Sequence, residues 1–213
     1  MLVSFSGLDS SGKTTQITLL EKYCAEHGIS AKRVWGKARG TPGVVFLKEL
    51  VRRDKGMSQE EKLEYRECFF ENPKKKKLLL IASLLDLIWF WGIYYRIEGI
   101  RNNILILDRY LWDTYVEIKT EFKGIVFEKW LLWKILVLVT PKPKISFLFV
   151  IPAEESIRRD VQKEDLTVDS IELKREKISL YMHLKNQGKW STIMDGMKSI
   201  QELHKEVVSV LKI

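Results

Sequence analysis

The sequence predicts an α/β fold, a five-stranded parallel sheet flanked by helices, and three observations carry that expectation. Strand-like and helix-like runs alternate along the whole chain, the pattern of βα units on a parallel sheet. The 213 residues, 46% of them hydrophobic, suffice for one domain with a full core. A glycine-bearing loop joins the first apolar run directly to the first helical run, the junction that opens a βα unit.

The elements follow in order. An apolar strand covers 2–5, the loop 7–14, and a helix 14–23, with Gly28 as its C-terminal stop. A second strand is expected at 31–35, then a glycine-rich turn over 36–43 and a helix over 44–53. Ser58 and Glu61 form a capping box that opens a helical stretch toward Phe70. The clearest buried strand is 103–107, ending at Asp108-Arg109-Tyr110, with helices over 110–121 and 125–139. Pro141 and Pro143 break the chain before a fourth strand at 145–150. A helix begins near Ala153, the charged stretch 160–169 reads as a mobile loop, and a long helix covers 170–185. Gly188 ends it; a fifth strand at 190–194 and a helix capped by Ser199 and Glu202 complete the chain. With no repeat, low-complexity tract or linker, residues 1–213 read as a single domain.

The stretch 78–95 is strongly apolar and follows Lys74–Lys77, as a membrane helix with a basic flank would. Asp86 lies mid-segment, where a charge costs about 2.5–3.5 kcal/mol on insertion scales. A central helix of a soluble fold, apolar all round, is the preferred reading, and membrane contact is not expected. The two cysteines, Cys24 and Cys68, have no metal or redox spacing, and the chain enters strand and loop directly, so a cytoplasmic setting is expected. A net charge of +8 suits acidic ligands. The cations are dispersed apart from 74–77 and form no recognition motif, which argues against nucleic acid.

Residues 7–14, Gly-Leu-Asp-Ser-Ser-Gly-Lys-Thr, are a complete G-x-x-x-x-G-K-[ST] phosphate-binding loop in strand–loop–helix context. Gly7 and Gly12 let the backbone turn tightly, so that N–H groups through Ser10 and Ser11 face phosphate oxygens. The first turn of the helix, with Thr14 and Thr15, adds unpaired N–H groups and its dipole. Lys13 reaches the β- and γ-phosphates, and the Thr14 hydroxyl ligates Mg²⁺. The fold class sharpens to a three-layer P-loop NTPase fold. Asp108, at the carboxyl end of an apolar strand, can hold Mg²⁺ beside Thr14, and Arg109 can clasp a phosphate with two hydrogen bonds.

Gly7, Asp9, Gly12, Lys13, Thr14, Thr15 and Gln16, together with Asp108-Arg109-Tyr110, resemble the motifs of thymidylate kinases, and the resemblance covers essentially the whole chain. It implies transfer of the ATP γ-phosphoryl group to dTMP with Mg²⁺, in a cytoplasmic homodimer with a short lid near 159–170. Asp9 then lies near the acceptor sugar, Arg109 on the acceptor phosphate, and Arg159 and Lys163 in the lid. Tyr181 matches a tyrosine of the helix after the lid, Thr114 a base-reading position, and Asp195 with Gly196 the turn beside adenine. Departures cluster at the acceptor. The family's Arg-Glu-Pro-Gly stretch is replaced, leaving Arg39 or Lys37 to hold the acceptor phosphate. Its stacking aromatic and arginine fall on Ile81 and Leu85, with Arg66, Phe69 and Phe70 as offset substitutes, and a family tyrosine falls on Glu117. A different acceptor nucleotide, another phosphorylated metabolite, or a non-catalytic ATP-binding regulatory module are the alternatives.

Overall fold

A computed structural model describes residues 1–36, 72–162 and 169–213. The helices expected over 44–53 and 58–70, together with Lys37, Arg39, Arg66, Phe69, Phe70 and Lys163, lie outside the described residues. The chain forms two compact units.

The first unit comprises Met1–Lys37, Ile97–Glu121 and Lys142–Ile213. Its strands are β1 (Leu2–Gly7), β2 (Ala31–Trp35), β3 (Ile104–Asp108), β4 (Ile145–Val150) and β5 (Thr192–Asp195). They form one parallel sheet in the order β2-β3-β1-β4-β5. Helix α1 (Lys13–Glu26) and the C-terminal helix (Ile200–Leu211) cover one face, where Ile17, Leu20, Leu203 and Val207 pack on Val3, Phe5, Ile106, Phe147 and Phe149. The helices Leu111–Glu121 and Ile171–Asn186 cover the other, through Val116, Tyr181, Leu184 and Leu148. In β4 alternate residues thus enter two different cores, Phe147 and Phe149 one and Leu148 the other, and the three inner strands are buried on both faces, with Ser4, Ser6 and Ser146 among their polar members. The three-layer α/β architecture expected from the sequence is the one observed.

Registers bring the chemistry together. Phe5 pairs with Asp108 on one side and Phe147 on the other, so Gly7 and the residues after β3 leave the sheet at the same edge. There, open parallel sheets bind their ligands.

Three of the boundaries that differ from expectation bear on the packing. The fifth strand begins at Thr192 rather than at 190, because Ser191 spends its backbone and side chain on Ser146: each residue's N–H reaches the other's hydroxyl at 2.9 Å. The expected helix over 125–139 is split into a 3₁₀ turn, Phe127–Lys129, and a helix, Leu131–Val139, with Trp130 extended between them. The expected loop at 160 is also displaced, since the helix Ala153–Gln162 continues through Asp160.

The second unit comprises Ala38–Arg96 and Phe122–Pro141. Its main described element is the helix α2 (Pro73–Trp89), which continues through a π-helical turn, Phe90–Tyr94. Pro73 stands at the first helical position, and the Asn72 side chain accepts from the N–H groups of Lys74 and Lys75. The lysine cluster is therefore the helix's first turn. Leu80, Leu84, Leu87 and Trp91 are buried, whereas Leu78, Leu85, Trp89 and Ile93 are exposed. This corrects the expectation of a helix buried all round. The run Pro73–Arg101 is long and apolar enough to cross a membrane by length and composition, with mean hydropathy 1.8 in its most apolar window.

Candidate active site

The loop between β1 and α1 is built by two glycines that no other residue replaces without strain. Gly7 has φ 134°, and a Cβ there would collide with the Phe149 carbonyl of β4. Gly12 has φ 94° and caps α1 without a side chain, leaving the first-turn N–H groups, including those of Thr14 and Thr15, without intrahelical acceptors. Both threonine side chains are exposed. The Ser11 hydroxyl is buried beneath the loop and accepts from Lys13 Nζ at 3.1 Å, while the Leu8 carbonyl takes a second hydrogen bond from the same ammonium. Burial, and then repulsion from Arg109, lower the Lys13 ammonium to about 7, against the opposing pull of Asp9, Asp113 and Asp108. Gln16 faces away from the site: its amide donates to the Ile200 carbonyl at 2.9 Å, tying α1 to the last helix.

Arg109 follows β3 in a left-handed backbone conformation, φ 71°, held by its N–H on the Phe5 carbonyl at 3.0 Å. A non-glycine residue in this region is strained, and such strain concentrates at functional sites. The guanidinium donates to the Gly7 carbonyl at 3.2 Å and pairs with Asp9 at the loop tip. Burial alone would weaken its hold on the proton; Asp9 first, then Tyr181 and Asp113, more than offset this and hold the group above its ordinary value. The expected acceptor arginine thus sits directly against the expected donor loop.

Beneath both lies Asp113, which sequence reasoning missed. Its carboxylate, almost fully buried, accepts from Ser6 Oγ at 2.6 Å, the Gly7 N–H at 3.1 Å, the Tyr110 N–H at 2.9 Å and Tyr181 Oη at 2.7 Å. Arg109 Nη1 lies 3.8 Å away. The signal was present in the spacing: an acid three residues after Tyr110, the residue before the helix Leu111–Glu121, can accept that residue's N–H as in a capping box. Tyr181 is buried and occupied by this network; burial and the Asp113 charge push its phenol well above the ordinary value.

Asp108 is paired with Arg33 of β2, a cation the sequence reading did not single out. Thr114 is buried, and its hydroxyl has no hydrogen-bond partner among the described residues. Arg159 donates to Glu155 and reaches the Ser10 carbonyl at 3.4 Å and the Gly196 carbonyl at 3.1 Å. It therefore joins the loop tip to the turn after β5, where Asp195 accepts from the Met197 N–H at 3.0 Å. Asp160, expected in a mobile lid, is buried in a helix and paired with Lys174. Ile81 and Leu85 belong to α2 in the second unit, half-buried and exposed respectively.

The donor set fits a magnesium ion carried with a nucleotide. The Thr14 hydroxyl and the Asp108 carboxylate are hard oxygen donors, and among the described residues no cluster of three or more acidic, histidine or cysteine side chains forms a protein-only cage. Mg²⁺ at phosphates uses one or two protein oxygens and keeps the rest of its shell for phosphate and water.

Comparison with known proteins bears on this geometry. The family model for thymidylate kinase matches residues 5–207. A thymidylate kinase from Thermosipho melanesiensis is 26% identical, the match covering 99% of this chain and 97% of that protein. A probable thymidylate kinase from Pyrococcus abyssi is 25% identical over 99% of this chain and 95% of its own length. A thymidylate kinase from a Thermoanaerobacter species is 25% identical over 99% of this chain and 96% of its own length.

Proposed function

Since the chain belongs to the thymidylate kinase family, we propose that it transfers the γ-phosphoryl group of Mg·ATP to dTMP, giving dTDP and ADP. The observation that carries the reading is the seat of Arg109, whose guanidinium touches the phosphate loop at Gly7 and Asp9. An acceptor phosphate clasped by that fork is delivered to the donor loop without further rearrangement of the sheet.

Each side chain has a part in this reading. The loop N–H groups of Ser10 and Gly12 and the first turn of α1 receive donor phosphates, Ser11 adding its N–H only by leaving the Leu8 carbonyl it now bonds at 3.3 Å, and Lys13 leaves that same carbonyl to pair with them. Thr14 and Asp108 would hold Mg²⁺, which would neutralise charge on the donor phosphates. For Asp108 to do so, Arg33 must give up part of its pairing. Arg109 holds the acceptor phosphate, Asp9 stands beside it near the sugar, and Arg159, bonded to the Ser10 carbonyl, brings its charge to the loop tip. Thr114 offers a buried, unspent hydroxyl to the acceptor base. Asp195 borders the adenine. Positioning and charge compensation suffice, because phosphoryl transfer asks little covalent chemistry of the protein.

The same reading takes residues 1–213 as one kinase domain with a short lid that begins after the helix Ala153–Gln162 rather than at 159, working as a cytoplasmic homodimer. Arg39 and Lys163 would contribute cations to the acceptor phosphate and the lid. The exposed apolar side chains Leu78, Trp89 and Ile93 support self-association, and a stable monomer in sedimentation would overturn it.

The test is ADP release from Mg·ATP against a panel of deoxy- and ribonucleoside monophosphates, with Lys13→Ala as control. Selective turnover of dTMP is expected. Preference for another acceptor would keep the kinase and change the substrate, and ATP binding without turnover on any acceptor would remove the kinase reading.

A further inference from the structure

Lys174 is almost fully buried, at 1% exposure, an unusual place for an ammonium. It lies on the helix Ile171–Asn186 and donates to Asp160 and, at 2.6 Å, to Ser156 Oγ, both on the helix Ala153–Gln162. Ser156 is itself fully buried and donates to the Asp9 carbonyl in the phosphate loop at 2.8 Å.

The polarity of this chain is forced. An ammonium only donates, so the Ser156 oxygen must accept from it, and the single hydroxyl proton is left to point at Asp9. The peptide between Asp9 and Ser10 is planar and trans, so a carbonyl drawn toward Ser156 turns the Ser10 N–H to the opposite side, away from that helix. The next carbonyl, that of Ser10, is drawn the same way by Arg159 at 3.4 Å. Two consecutive loop carbonyls are thus fastened outward, while Ser10 itself holds a left-handed φ of 57°. A run of N–H groups facing inward is what an anion-binding loop needs.

Stability does not explain the pair. A buried Lys–Asp pair is often no more stabilising than apolar residues of the same volume, and here the second Asp160 oxygen is buried without a hydrogen-bond partner among the described residues. We propose that Lys174 is a positioning residue for donor binding: through Ser156 it fixes the Asp9–Ser10 peptide with its N–H toward the phosphates, and Asp160 is the counter-charge that lets an ammonium be buried there. The proposal rests on the reading of this loop as the ATP site.

The experiment measures Mg·ATP affinity by calorimetry, KM for ATP and for dTMP, and the melting temperature. The variants are Asp160→Leu/Lys174→Met, which replaces the pair by apolar residues, and Ser156→Ala. The double variant is expected to melt close to the native chain yet bind Mg·ATP about tenfold more weakly, with KM for dTMP little changed. Ser156→Ala should show the same selective loss, and combining it with the double change should add nothing further. Native ATP affinity in either folded variant would overturn the proposal, as would parallel losses for ATP and dTMP that track the melting temperature. If the double variant fails to fold, Ser156→Ala alone decides between these outcomes. A native chain that binds no Mg·ATP would instead overturn the donor-site reading, and this proposal with it.

Discussion

Tyr181 donates its hydroxyl to Asp113 across 2.7 Å, joining the helix Ile171–Asn186 to the floor of the phosphate loop. The carboxylate that receives it also holds the Gly7 N–H and faces Arg109, so one buried acid organises the backbone of the donor loop and the fork assigned to the acceptor. Gly7 and Arg109 both have positive φ, which a glycine adopts freely and which Arg109 holds only because its neighbours fix it there.

Asp113→Asn should therefore destabilise the chain. Ser6, Gly7, Tyr110 and Tyr181 all donate to the carboxylate, and an amide would set its own NH₂ against some of those donors. A loss of about 2–4 kcal/mol is expected in urea denaturation, against about 1 kcal/mol for Tyr181→Phe, which removes a single donor. Equal stabilities for the two variants would contradict the hub.

Lys13 offers a test by proton counting. With its ammonium lowered to about 7 by burial and by Arg109, Lys13 is largely neutral in the free chain at about pH 8 and charged at about pH 6. Phosphates favour the charged form, so binding raises the value and draws a proton from solution. Calorimetry in buffers of different ionisation enthalpy should show proton uptake on Mg·ATP binding at about pH 8 that fades toward about pH 6. Uptake that persists in Lys13→Met would assign the proton elsewhere.

For Arg109, the informative change is to lysine, which keeps the charge and loses the fork. One ammonium cannot reproduce contacts to Gly7, Asp9 and an acceptor phosphate together. KM for dTMP should rise by about tenfold or more while KM for ATP moves less. Equal effects on the two substrates would place Arg109 in the loop scaffold alone.

Much of this was legible in the chain. The phosphate loop announces itself because its glycines, lysine and threonine act through fixed local spacing, and β3 and β4 because burial on both faces leaves little room for polar residues. Asp113, Arg33 and Lys174 were not legible as site residues, since their roles depend on neighbours 107, 75 and 14 residues away. An acid four residues after Arg109 reads as an ordinary helical ion pair until tertiary packing buries it. The helix over 78–95 misled in the opposite direction: composition alone cannot say that Leu78, Leu85 and Trp89 stay exposed while Leu84 and Trp91 do not. The split at Trp130 was hidden because an apolar stretch reads the same in helical and extended backbone.

Gly196, in the turn after β5, provides the last test. Its N–H bonds the Val150 carbonyl at 2.9 Å and its own carbonyl receives Arg159. A Cβ there would stand 2.5 Å from Ile151 Cγ2 and 3.0 Å from the Ser11 carbonyl. The isoleucine tip can shift, but the Ser11 backbone belongs to the loop whose hydroxyl steadies Lys13. Gly196→Ala should cost about 1–3 kcal/mol, as overpacking does, and raise KM for ATP more than KM for dTMP, because the displaced residues are donor-side. Gly28→Ala is the control: its φ of 67° carries a backbone cost, yet nothing lies within 4 Å of the added methyl. That variant should lose about 1 kcal/mol and keep both KM values. If Gly196→Ala matched it in kinetics, the contact between the turn after β5 and the phosphate loop would have no part in holding ATP.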